Sequence, residues 1–144
     1  MAKFRFHLEP VLKHRTEKAS TAEQALAVAH HEYNRRLTIL ADTKQRLEDA
    51  FCLADEEEDP LDVVYYAYYR ASLSTKIDLQ EHEAMLAGKT VERKRGVAIK
   101  ARQERQVMEK LKDRHYTNYC CEEASKEQKE IDEMALYAYL RPQY

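Results

Sequence analysis

Apolar residues recur every seven positions through the first part of the chain. Leu12, Ala19, Leu26, Tyr33, Leu40, Leu47 and Ala54 form one ladder. A weaker companion ladder runs beside it through Leu8, Arg15, Ala22, Ala29, Arg36, Thr43 and Ala50. A strong row next to an alanine-rich row is a narrow seam, wide enough for one partner helix. The pattern predicts a helix over about residues 8–55, roughly 70 Å long at the rise of an α-helix. Pro10 falls in its first turn, where a missing N–H costs nothing. The acidic run from Asp55 to Asp59, closed by Pro60, ends this helix, because like charges repel and the pre-proline residue is steered away from helical angles. A turn is expected at about 56–60, with Asp59 or Asp62 capping the next helix.

A second helix is expected over about 61–140. Leu73, Ile77, Ala84, Ala87, Val91, Ala98, Ala101 and Met108 lie on a heptad-like track, which shifts to Ala124, Ile131, Ala135 and Ala138. Gly88 and Gly96 interrupt it at roughly 1 kcal/mol each, too isolated to make a loop. So short a connection forces antiparallel neighbours. Folding at about residue 58 pairs positions whose numbers sum to roughly 117, with a shift of half a heptad left open. Leu40 then meets Ile77, Tyr33 meets Ala84 and Leu26 meets Val91. On this register the first helix runs out opposite about residue 107. Some 30 residues of the second helix are left without a partner, and Ile131, Met134, Ala135, Tyr137 and Ala138 ask for an external one.

Composition narrows the class to all-α. The chain of 144 residues holds only 2 Gly and 3 Pro, and its prolines leave stretches of 49 and 81 residues unbroken. Sheet proteins need far more turn residues. No uncharged run exceeds about eight residues, against the roughly 18 of a membrane span. Met1 to Phe6 open no apolar signal region, so a cytosolic protein is expected. Cys52, Cys120 and Cys121 are odd in number and suit a reducing compartment. The formal net charge of −2 gives no global pull toward nucleic acid.

Charge is sorted along the chain. Residues 48–62 carry eight acids and no base, and residues 89–114 carry ten bases and four acids. Lys3, Arg5, Lys13, Arg15 and Lys18 add to the positive side near the start, while residues 122–133 are acidic again. Different charge at different ends reads as a connector between different partners.

Candidate chemistry is sparse. Two lone glycines cannot cradle a phosphate, and no His-Glu metal motif is present. His115 with Cys120 and Cys121 is the best metal set, but the spacing is poor and a fourth ligand is missing. Incidental thiols are favoured over a site by roughly ten to one on the tetrahedral requirement. Neither an enzyme nor a bound cofactor is expected. The run Val63, Val64, Tyr65, Tyr66, Ala67, Tyr68, Tyr69 is too aromatic for a one-sided seam. Packing against Phe51 and Leu53 and service as a partner site weigh about equally, since exposed aromatics mark interfaces. The basic stretch is more often a solvated face than a nucleic-acid site.

The two ends carry a resemblance. Lys3-Phe4-Arg5-Phe6-His7-Leu8-Glu9-Pro10-Val11-Leu12-Lys13-His14-Arg15 resembles the start of FliJ-family proteins of the bacterial flagellar export apparatus. Lys126-Glu127-Gln128-Lys129-Glu130-Ile131-Asp132-Glu133-Met134-Ala135 resembles their C-terminal segment. YscO-type proteins of injectisome secretion are similar. The resemblance implies a two-helix antiparallel coiled coil, its C-terminal helix the longer, like the gamma-subunit stalk of rotary ATPases. It implies binding to a FliI-like hexameric export ATPase, contact with a FlhA-like export gate, and handling of export chaperones. The place implied is the cytoplasmic face of the inner membrane, with no nucleic acid and no small-molecule substrate. Family-matched positions facing the ATPase are Phe4, Phe6, Leu8, Val11, Leu12, Arg15, Gln128, Ile131, Asp132, Met134 and Ala135, with Arg93, Lys94 and Arg95 added from the basic stretch. The implied gate-facing set is Leu40, Thr43, Leu47, Tyr69, Leu73 and Ile77, where Thr43 and Leu47 stand at positions expected to be aromatic. Alternatives are an export chaperone or substrate adaptor, a generic coiled-coil scaffold, and more distantly a helical nucleic-acid binder or an enzyme.

Overall fold

A computed structural model of the chain describes residues 4–56 and 59–140. Two helices account for almost all of them: α1 (Glu9–Glu56) and α2 (Pro60–Leu140). The fold is an all-α helical hairpin. Glu57 and Glu58 of the acidic run, and Pro142 past the end of α2, lie outside the described residues. The helix ends follow from local chemistry. Glu9 places a carboxylate in the first turn of α1, where the helix dipole favours it. Of the two candidate caps for α2, Asp59 is the one used: its Oδ1 accepts from the Leu61 amide at 3.0 Å, and Pro60 takes the first helical position.

The chain divides into two compact units, and both helices contribute to each. One joins Met1–Ala19 to Ala101–Tyr144, and the other is Ser20–Lys100. Within Ser20–Lys100 the helices pack antiparallel along the two ladders. Leu40, Thr43, Ala50, Leu73, Ile77, Ala84, Val91 and Ala98 are buried there. Thr43 is the polar member, and its hydroxyl donates to the Ile39 carbonyl of its own helix at 3.0 Å. In the other unit the buried pair is Ala19 and Ala101.

The register differs from the simple fold-back expectation. Tyr33 lies over Gly88 rather than Ala84, a slip of about four residues, or half a heptad. Bulk and charge give the reason. A Cβ on Gly88 would sit 3.4 Å from the Tyr33 ring, so the glycine is the hole that receives the largest side chain of the ladder. The two arginines that weaken the companion ladder are also explained. Arg36 reaches Glu83 at 2.6 Å and Glu32 at 3.0 Å, while Arg15 pairs with Glu104 across its own unit. Lys44–Glu81 at 2.7 Å adds a further cross-helix pair. Each such half-exposed pair is worth about 0.2–1 kcal/mol, so together they select a register more than they stabilise the fold.

Two measurable consequences arise here. Gly96 has open space where a Cβ would go. Gly96→Ala is therefore expected to raise stability by about 0.5–1 kcal/mol through helix propensity alone. The same change at Gly88 brings the new methyl against the Tyr33 ring at 3.4 Å and gains less, and Gly88→Leu, which overfills that space, is destabilising. Thermal melts followed by circular dichroism would rank the three, and equal gains from Gly96→Ala and Gly88→Ala would contradict the keyed register. The Gln80 side-chain oxygen is buried with no donor. Gln80→Met removes that orphan at similar volume and is expected to stabilise by about 1 kcal/mol. A lower unfolding midpoint for Gln80→Met would mean the oxygen has a partner after all.

Candidate partner-binding surfaces

The start of the chain is held by aromatic contacts. Phe4 packs edge-on against Tyr116 with centroids 5.2 Å apart, and lies 5.5 Å from Tyr119. Phe6 meets His115 at 5.8 Å. Tyr116 and Tyr119 are three residues apart on α2, so they share a face and form a two-ring seat. Just beyond, the Lys112 ammonium sits 2.8 Å from a Glu9 carboxylate oxygen. Lys18 joins Arg15 on Glu104 at 3.3 Å. Phe4 and Phe6 thus extend the pairing of the two chain segments to about residue 119. The unpartnered part of α2 is correspondingly shorter than fold-back arithmetic gives. An open groove of about 460 Å³ remains between Phe4, Tyr116, Tyr119, Cys120 and Glu123. The Cys120 thiol beside Tyr116 holds its phenol above the usual range.

Past Glu123 the helix continues with no cover: every described residue from 124 to 140 is exposed. Ile131, Met134, Ala135 and Ala138 follow the spacing of a single helix face. Gln128 donates to Asp132 at 2.8 Å along the surface, and Lys126 pairs with Glu123 at 2.8 Å, which raises the lysine's affinity for its proton. Helix formation here rests on such local pairs, because there is no packing to support it.

The candidate residues for the ATPase therefore fall into three environments. Gln128, Ile131, Asp132, Met134 and Ala135 are open to solvent. Leu8 and Val11 are exposed, whereas Phe4, Phe6 and Leu12 are half-buried and Arg15 is ion-paired. These all belong to one unit. Arg93, Lys94 and Arg95 belong to the other and are exposed to solvent, with a contact of 3.7 Å between Arg95 and Glu92.

The gate-facing set has a different character. Leu40, Thr43, Leu73 and Ile77 are buried in the seam, Leu47 is half-buried, and Tyr69 stands at the edge. Four of the six are spent on holding α1 against α2. The ladder spacing already carried that information, since a residue on the seam is not on the surface. What the sequence pattern alone did not single out is the geometry of the tyrosine run. Tyr65 and Tyr69 are stacked with planes 4° apart and centroids at 6.3 Å, and Tyr66 meets Tyr65 edge-on at 5.6 Å. Arg70 lies over the Phe51 ring at 4.7 Å, tying α2 to α1 beside the run. Among the described residues no group of three His, Cys, Asp or Glu side chains is placed to hold a metal, and no helix is long and apolar enough to cross a membrane.

A thin seam, solvent-facing apolar residues on α2 and charge sorted by segment define a two-helix coiled coil that leaves much apolar surface open. The family model of the flagellar FliJ protein matches residues 4–144. The chain belongs to the FliJ family, and so to the flagellar, type III export class of stalk-type proteins. The fold is also that of a protein described as a YscO homolog, CT670 of Chlamydia trachomatis. The likeness covers 95% of this chain and 96% of that one, at 21% identity and a TM-score of 0.54. No curated protein matches the sequence.

Proposed function

We propose that this chain is a non-enzymatic stalk of the flagellar export apparatus, which binds a FliI-like hexameric ATPase and links it to a FlhA-like gate and to export chaperones. It works in the cytoplasm, at the cytoplasmic face of the inner membrane. The observation that carries the reading is the uncovered helix from 124 to 140, with Ile131, Met134 and Ala135 on one face. A single asymmetric helix inside a six-fold ring touches different subunits differently. Any subunit conformer it binds better is stabilised by that difference in affinity, which favours ring closure and ordered hydrolysis. Phe4, Phe6, Leu12 and Arg15 brace the helix at its root, and the exposed Leu8 and Val11 extend the ATPase-facing surface beside it. Arg93 and Lys94, both exposed, supply a separate electrostatic contact. Toward the gate, Tyr69 and the rim of Leu47 offer the accessible surface, with Leu40, Thr43, Leu73 and Ile77 packing beneath.

The test is the ATP hydrolysis rate of the cognate export ATPase across a titration of this protein. Stimulation that saturates supports the stalk reading, and a flat titration removes it. A second reading, an export chaperone or substrate adaptor, is favoured by the stacked tyrosines, which make a rigid aromatic surface away from the uncovered helix in sequence. It predicts binding to secreted proteins or their chaperones with no effect on hydrolysis.

A further inference from the structure

The first turns of α2 carry a second apolar face that the seam does not use. Leu61, Val64, Tyr65 and Tyr68 have the i, i+3, i+4, i+7 spacing of one helix stripe. All four are exposed, Leu61 at 77% and Tyr68 at 76%. Tyr66, Arg70, Leu73 and Ile77, which turn toward α1, lie on the other side. Phe51 and Leu53 on α1 add exposed apolar surface nearby in the same unit. A solvated helix face has no use for two aliphatic and two aromatic side chains in register, whereas helix-in-groove recognition is built from this spacing.

The surroundings say what kind of helix fits. Residues 48–62 hold eight acids and no base. The first cation after them, Arg70, is already engaged: its Nε donates to the Tyr66 carbonyl at 3.3 Å and its guanidinium covers Phe51. Among the described acids of this stretch, Glu48, Asp49 and Asp62 make no ion pair, and Asp59 caps α2. The stacked faces of Tyr65 and Tyr69 attract cations as well, through the ring quadrupole. We infer that the stripe Leu61–Val64–Tyr65–Tyr68 is a docking seam for a basic amphipathic helix of another protein, whose apolar side covers the stripe while its Lys or Arg flanks meet the acids and the tyrosine rings. An anionic membrane is disfavoured by the same acids, and a second copy docking through its own stripe would bring like charge against like. Of the gate-facing set only Tyr69 borders this seam, so either surface can fail without the other.

The test uses the full chain and a fluorescein-labelled synthetic helix of Leu and Lys, about three heptads long, read by anisotropy. Tyr65→Ser with Tyr68→Ser is expected to weaken binding about tenfold or more, as loss of central aromatic anchors does. Glu48→Gln with Asp62→Asn should weaken it several-fold and flatten its salt dependence, and the matching Leu–Glu peptide should bind poorly. Both tyrosines are exposed, so the double variant keeps its melting profile, which circular dichroism checks. Equal binding by the tyrosine variant, or by the Leu–Glu peptide, would overturn the inference. So would tyrosine-dependent sedimentation with phosphatidylglycerol vesicles, or tyrosine-dependent dimerisation of the chain alone in sedimentation velocity.

Discussion

Ile77→Asp is expected to abolish the cooperative thermal transition of the Ser20–Lys100 unit. Ile77 is 9% exposed, and the large side chains buried with it in that unit are few: Leu40, Leu73 and Val91, the rest being Ala and one Thr. Losing the isoleucine forfeits about 1.5–3 kcal/mol of burial. Placing an unpaired carboxylate in the same apolar strip adds several more. A domain of this size has only about 5–15 kcal/mol in total. A seam this thin in large side chains has little in reserve. Ile77→Val, which removes one methylene, is expected to cost only about 0.5–1.5 kcal/mol and serves as the control. Circular dichroism on heating distinguishes them. A melting midpoint for Ile77→Asp within a few degrees of the native protein would mean that Ile77 does not hold the helices together.

Removal of everything after Glu123 has the opposite profile: a large functional loss with almost no loss of stability. Residues 124–140 bury nothing against the rest of the chain, while the Phe4 contacts to Tyr116 and Tyr119 lie before the cut. The melting midpoint should stay within a few degrees. Stimulation of the export ATPase should disappear if those residues are the part that enters the ring. Retained stimulation by the truncated chain would move the contact to Phe4–Arg15 or to Arg93–Arg95. A truncated chain that melts much earlier would show instead that the terminal helix packs on its own molecule.

Much of the fold was legible because helical periodicity is a local signal. The ladder through Ala19, Leu40, Ile77, Ala84, Val91 and Ala98 named buried residues directly. Register was less legible, because heptads repeat and several offsets satisfy the pattern. Tyr33 against Gly88 and Arg36 against Glu83 decide it, and both are pairings across the seam that no single stretch of sequence displays. The N-terminal clasp was missed for a similar reason. Phe4 and Phe6 precede the helix, outside any period, and their partners Tyr116 and His115 are more than a hundred residues away. The candidate sites were legible as chemistry, and the ladders already set the gate-facing residues on the seam, but the openness of the aromatic run was not legible. Leu40, Thr43, Leu73 and Ile77 have the character of docking residues and are enclosed, whereas Leu61 and Tyr68 in the aromatic run are open.

The fit of Tyr33 over Gly88 has a mechanical side. Alanine-lined helices repeat so evenly that they could shear past one another a heptad at a time. One heptad of sliding in either direction would set Tyr33 against Glu81 or Arg95, long side chains in place of a glycine. The tyrosine must therefore lift out of its notch before the two helices of the Ser20–Lys100 unit can move along each other. A pull on one helix is passed to the other at that point, as a detent passes load between two sliding bars, and the softness of the alanine seam does not become slack.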